Sequence, residues 1–196
     1  MKAKRTSQSG QNAAVGFKPA SSKSDKSPVM VRPLAPDDFE FVRSLSASIK
    51  NYTVCPPYVL WMLSRLHGRF CGVAVTSNQN RLGYLLAMAT SDPADAVFVW
   101  QLAATFRGRR LKAQDRLASY LNEAIHARGL NQVLFTSVPN SATERSVMSL
   151  TKRVFSAAPR MTQNLPESVG QNEREYVFSL STKNRKPIPD VRKELL

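Results

Sequence analysis

Apolar positions along this chain fall into short continuous runs and helical stripes that follow one another in a definite order. Met30 to Leu34 predicts a short strand ending at a proline. Pro36-Asp37-Asp38 then opens a helix, because proline suits a first turn and carboxylates suit its positive end. Glu40 is a third acid of that turn, and Phe39, Val42, Leu45 and Ile49 carry the helix on at helical spacing. Cys55-Pro56-Pro57 breaks the chain. A second helix is expected from about Tyr58 to Leu66, with Trp61, Met62, Leu63 and Leu66 in the core. Three strand-length apolar runs come next: Phe70–Thr76, Leu82–Ala89 and Val97–Ala104. Asn78-Gln79-Asn80 supplies a turn between the first two, and Asp92-Pro93 a loop before the third.

The polar turn Thr105-Phe106-Arg107-Gly108-Arg109-Arg110 leads into the longest predicted helix, about residues 110–128. Leu117, Leu121 and Ile125 share one face of it, and Gly129 is placed to end it in the left-handed conformation. Gln132–Val138 predicts another strand. Ser141-Ala142-Thr143-Glu144 fits a capping box, followed at helical spacing by Val147, Leu150, Val154 and Phe155. Glu175–Leu180 predicts the last strand. The order β α α β β β α β α β mixes hairpins with crossover helices, so an α+β fold with a mixed sheet is expected.

Length and composition narrow the classes. The 196 residues suit one domain with tails, and 42% hydrophobic content supports a real core. No apolar run nears the roughly 20 residues of a membrane span. Two cysteines, Cys55 and Cys71, make no disulfide framework, and with two histidines they cannot supply a four-ligand zinc cluster, so no metal is expected. A reducing, cytoplasmic location is the expectation, with organellar import and bacterial export left open.

The net charge of +14 is uneven. Residues 1–28 hold six basic side chains against one acid, and residues 183–196 five against two. Both stretches have little to bury and are expected to be disordered basic tails around a domain at 29–182. Such tails suit nucleic acid or an acidic partner, or serve only solubility.

The joint after Ala104 is the most informative place for chemistry. Arg107-Gly108-Arg109-Arg110-Leu111-Lys112 places four cations in six residues at the start of a helix. Free N–H groups at a helix start favour an anion, above all a phosphate. The alternative is a solvated basic turn with one glycine for geometry. Cys55 has no identifiable base to make it a nucleophile, and neither His67 nor His126 has a triad partner.

With this order of elements, the chain resembles the GNAT-type N-acetyltransferases, whose fourth strand runs into an Arg/Gln-x-x-Gly-x-Gly/Ala turn. Arg107 matches the first position of that turn, Arg110 stands at the glycine and Lys112 at the small residue. Within the superfamily, Phe98-Val99-Trp100-Gln101-Leu102-Ala103-Ala104 is similar to the Phe-Val-Trp-Gln-Val stretch of diaminobutyrate acetyltransferases. Tyr58, Leu63, Gly83-Tyr84, Arg107-Gly108, Leu111 and Pro139 follow that family's order, over roughly residues 31–155.

The resemblance implies a mostly antiparallel central sheet flanked by helices, acetyl-CoA as co-substrate, a small amine as acceptor, and a homodimer as a common state. It places Leu102, Ala103, Ala104, Arg107, Gly108, Arg109, Arg110, Leu111, Lys112 and Asn140 beside CoA. It places Thr53, Cys55 and Trp100 beside the amine, and makes Tyr58 the acid that protonates the CoA thiolate, against an ordinary packing role. Backbone N–H groups near Leu102–Ala104 would polarise the thioester carbonyl.

Several positions depart from the pattern. Thr53 and Cys55 stand where the family has an aspartate and an asparagine for its diamine, and Asn140 directly follows Pro139 where the family has Pro-x-Asn. Side chains at 110 and 112 either keep backbone from phosphate or touch it themselves. Hence a second reading stands beside the enzyme: a non-catalytic module of this fold that binds RNA or an acidic partner. No segment of the sequence advertises an exposed apolar face.

Overall fold

A computed structural model describes residues 28–50, 52–165 and 173–180, and both tails beyond these lie outside it. An antiparallel meander begins the sheet: β1 (Met30–Pro33), β2 (Gly72–Val75), β3 (Arg81–Ala89) and β4 (Ala96–Ala104). Helices α1 (Phe39–Ala47) and α2 (Pro57–Leu66) lie between β1 and β2 in the chain. After β4 come a five-residue helix α3 (Phe106–Arg110) and the long α4 (Ala113–Ala127), which crosses over to β5 (Gln132–Ser137), parallel to β4. Helix α5 (Ala142–Leu150) continues through a π turn, Thr151–Phe155. Strands β6 (Arg160–Asn164) and β7 (Arg174–Ser179) close the chain. The sheet order is β1-β2-β3-β4-β5-β7-β6, with every pair antiparallel except β4–β5.

Each face of the sheet carries its own core. Leu117, Leu121 and Ile125 of α4 join Leu82, Leu85, Val97, Phe135 and Phe178 on one side. On the other, Val42 of α1 and Leu60 and Leu63 of α2 pack on Val73, Tyr84 and Leu86. Residues 82, 85 and 87 of β3 face one core while 84 and 86 face the other, as a sheet covered on both sides requires. Each fully buried Leu or Ile contributes about 1.5–3 kcal/mol.

The expected left-handed stop is present at Gly129, φ 69°. Ser141 caps α5 by accepting from the Glu144 amide at 3.0 Å. Glu144 reaches back to the Asn140 amide at 2.7 Å, one residue earlier than the capping-box pattern puts it.

Three expectations are corrected and one is extended. The single helix of about 110–128 is two helices, parted at Leu111-Lys112, where Lys112 takes a left-handed φ of 57°. An extra strand, β6, is present; all five of its residues are exposed, so no apolar alternation marks it. Asp38 stands in the first turn as expected, and is in addition a fully buried carboxylate held by Arg32 and Arg81. Finally, α2 turns only Leu60 and Leu63 fully inward, leaving Trp61 49% and Leu66 70% exposed beside the exposed Tyr58. The short helix presents a ten-residue arc with more apolar positions than one face can bury.

Candidate active site

Strands β4 and β5 run together for four residue pairs, from Ala96↔Gln132 to Val99↔Phe135, and then part. Both strands continue, β4 to Ala104 and β5 to Ser137. At the same level β4 carries a bulge against β3. Leu86 pairs with Gln101 and Ala87 with Val99, so Trp100 is the extra residue. A bulge bends its strand and increases the local twist, which turns β4 away from β5 where the ladder stops.

The parting opens a cavity of about 480 Å³. Trp100, Gln101 and Leu102 line one wall, and Thr136, Ser137 and Ser141 the other. Lys50, Tyr52 and Thr53 from the α1–α2 segment and Glu173 and Glu175 from the start of β7 also line it, together with core side chains such as Leu85, Phe135 and Phe178.

Side chains strap the α1–α2 segment to β4. The Tyr52 hydroxyl donates to the Leu102 carbonyl at 2.9 Å. Gln101 donates through Nε2 to the Thr53 carbonyl at 2.7 Å and accepts from the Tyr84 hydroxyl at 2.8 Å. Burial pushes the pKa of both phenols up, so each remains a neutral donor. Replacing Tyr52 with Phe removes one such bond; the expected loss is about 1 kcal/mol, read as a melting temperature about 2–4 °C lower.

At the far end of β4, Thr105 binds Leu82 through both its amide (2.9 Å) and its hydroxyl (3.1 Å). Its Oγ1 also accepts from the Gly108 amide at 2.9 Å, capping α3. Arg109 donates to the Ala104 carbonyl at 3.3 Å and lies over the exposed ring of Phe106. Arg107, Arg109, Arg110 and Lys112 are exposed, Gly108 is buried and Leu111 half-buried.

Of the residues named from the sequence, Thr53, Trp100 and Leu102 line one cavity, with the basic turn just past the end of β4. Ala103 and Ala104 are buried in the two cores. Cys55 is buried among core residues, and burial pushes its thiol up, away from the nucleophilic thiolate. Asn140 is exposed, with φ 59°. Tyr58 stands apart, 68% exposed on α2 and stacked on Trp61. The phenol inside the cleft is Tyr52. Neither it nor Lys50, Glu173 and Glu175 was singled out from the sequence. They come from irregular segments or the first residues of a strand, where no periodicity points inward.

Among the described residues, no helix is long and apolar enough to cross a membrane, and no group of three or more His, Cys, Asp or Glu side chains could hold a metal.

No family model and no curated protein sequence matches the chain. Solved structures do. Diaminobutyrate acetyltransferase EctA from Paenibacillus lautus, in complex with L-2,4-diaminobutyric acid and coenzyme A, aligns at TM-score 0.67 and 19% identity, over 79% of this chain and 96% of that one. A GNAT-superfamily phosphinothricin acetyltransferase from Sinorhizobium meliloti, in complex with AcCoA, aligns at 0.59 and 15%, over 82% and 97%. An acetyltransferase of the GNAT family from Staphylococcus aureus aligns at 0.60 and 13%, over 78% and 99%. The chain has the GNAT acetyltransferase fold.

Proposed function

We propose that this protein is an acetyl-CoA-dependent N-acetyltransferase acting on the primary amine of a small acceptor, in the manner of the diaminobutyrate acetyltransferases it resembles. The observation that carries this reading is the parting of β4 from β5 at the Trp100 bulge, with a cleft beside the strand whose end leads into the basic turn. Such a cleft fits the donor: a strand edge suits an extended pantetheine arm, and cations past the strand's end suit its phosphates. Leu102 and its neighbours would lie along the arm, with Arg109, Arg110 and Lys112 at the phosphates.

The bound donor supplies an acyl group already activated as a thioester. The chain then has mainly to position an amine and exclude water, which needs no conspicuous catalytic side chain. Trp100 and Tyr52 form the wall at the parting, and Glu173, Glu175 and Lys50 give the amine end of the cleft its polarity. Tyr52, a neutral phenol held at Leu102, is a proton donor on the wall of the cleft.

Calorimetric titration with acetyl-CoA tests the reading. Saturable binding is expected, together with thiol release when a panel of small amines, L-2,4-diaminobutyrate included, is supplied. No heat at millimolar acetyl-CoA would sink it and favour a non-catalytic module, with the basic tails on RNA or an acidic partner.

A further inference from the structure

We propose, taking the acyl-CoA reading as the starting point, that this chain holds the donor's phosphates through side-chain cations, Arg109, Arg110 and Lys112, and not through a cradle of backbone amides. A glycine-rich turn grips phosphate by leaving its N–H groups free and letting the ligand come close. Here four N–H groups of the turn itself, those of Gly108, Arg109, Leu111 and Lys112, are engaged at home. Gly108 donates to Thr105 Oγ1 at 2.9 Å and Arg109 to the Thr105 carbonyl at 2.9 Å. Leu111 donates to the Arg107 carbonyl and Lys112 to the Arg109 carbonyl, both at 3.1 Å.

The turn's single glycine serves another purpose. A Cβ on Gly108 would lie 2.9 Å from the carbonyl carbon of Leu82 and closer still to its oxygen. The missing side chain admits β3, not a ligand.

Charge takes the place of the amides. Arg109, Arg110 and Lys112 are exposed, and no Asp or Glu occurs between Asp95 and Asp115. Asp115, the acid in the first turn of α4, is engaged by Arg153 at 2.7 Å, so its charge is countered. Lys112 holds a left-handed φ of 57°, a conformation that glycine adopts freely and lysine does not. A cation stands at a position where backbone geometry favours glycine.

The two modes of binding differ in sign. Restoring glycines with the double substitution Arg110→Gly and Lys112→Gly should improve an amide cradle and weaken a charge clamp. We expect the double variant to bind acetyl-CoA at least about tenfold more weakly at low salt, because two charge-assisted contacts are lost. The parent's affinity should fall at least about fivefold between roughly 50 and 200 mM NaCl, and the variant's much less, because exposed charges are screened. The variant's melting temperature should be no lower than the parent's, so weaker binding is not unfolding.

A variant that binds acetyl-CoA as tightly as the parent, or tighter, overturns the proposal. So does a parent that binds tightly with no salt dependence, and in that case the acetyltransferase reading stands. A parent that binds no acetyl-CoA at either salt removes both.

Discussion

Gly108→Ala is expected to cost about 3 kcal/mol and to lower the melting temperature by about 6–12 °C. The turn after β4 reaches back to β3 through two bonds from Thr105 to the Leu82 carbonyl, and α3 begins directly over that carbonyl. A methyl group at 108 would meet main-chain atoms of Leu82 from one side and Thr105 Oγ1, at 3.2 Å, from the other. Main chain in the middle of a sheet cannot swing aside as a flexible side chain can. The strain must move α3 off β3, carrying Arg109, Arg110 and Lys112 with it. Thermal unfolding followed by circular dichroism measures the loss, and acetyl-CoA titration below the transition should show weakened binding as well. An alanine variant as stable as the parent would mean that the turn is not seated on Leu82.

Asp38→Asn is expected to cost about 2 kcal/mol. Asp38 is fully buried and accepts from Arg32 Nη1 at 2.6 Å and Nη2 at 2.9 Å, from Arg81 Nε at 2.7 Å and from the Ala35 amide at 3.1 Å. One carboxylate thereby ties β1, β3 and the entry to α1. Both guanidinium groups are about a third exposed, so they can rehydrate when the carboxylate goes, which holds the cost below that of a fully buried pair. Burial works to raise the Asp38 pKa, but the bonds from Arg32, Arg81 and Ala35 outweigh it and the net shift is downward. The sign of the pH dependence follows. A carboxyl group whose folded pKa is depressed stabilises the fold above its ordinary value of about 3.9, and the contribution is lost as pH falls through the folded value. Urea unfolding should therefore show the full gap between parent and Asp38→Asn at neutral pH, closing in the acid range below about pH 4. A gap that stays constant down to pH 2 would contradict this account.

Where each element lies was largely legible in the chain, because most elements have one face to bury. The stripes of α1 and α4, the three apolar strands, the Gly129 stop and the Ser141 cap all follow local rules that the structure obeys. What escaped was set by partners far along the chain. Asp38 looks like an ordinary helix-start acid until β1 and β3 bring Arg32 and Arg81 to it. Strand β6 is bonded on one edge and exposed along its length, so its sequence Arg160-Met161-Thr162-Gln163-Asn164 carries no burial pattern.

The cleft itself was half legible. Phe98–Gln101 stood out as a stretch, but the skipped pairing that makes Trp100 a bulge depends on the register of β3. Glu173 and Glu175 reach the same cleft only because β7 lies beside β5. The basic turn was visible as charge, while the engagement of its amides depended on whether 106–110 coils into a helix.

The short β4–β5 ladder has a mechanical consequence. Four residue pairs are all that stitch the meander β1–β4 to the strands β5, β7 and β6 within the sheet; α4 bridges the remainder from one face. Such a seam is the expected place for subglobal opening, with the shared core beneath α4, from Leu82 and Val97 to Phe135 and Phe178, left to hold the two sides together. A long molecule lying across both would act as a suture, and its occupancy would be felt as rigidity throughout the protein.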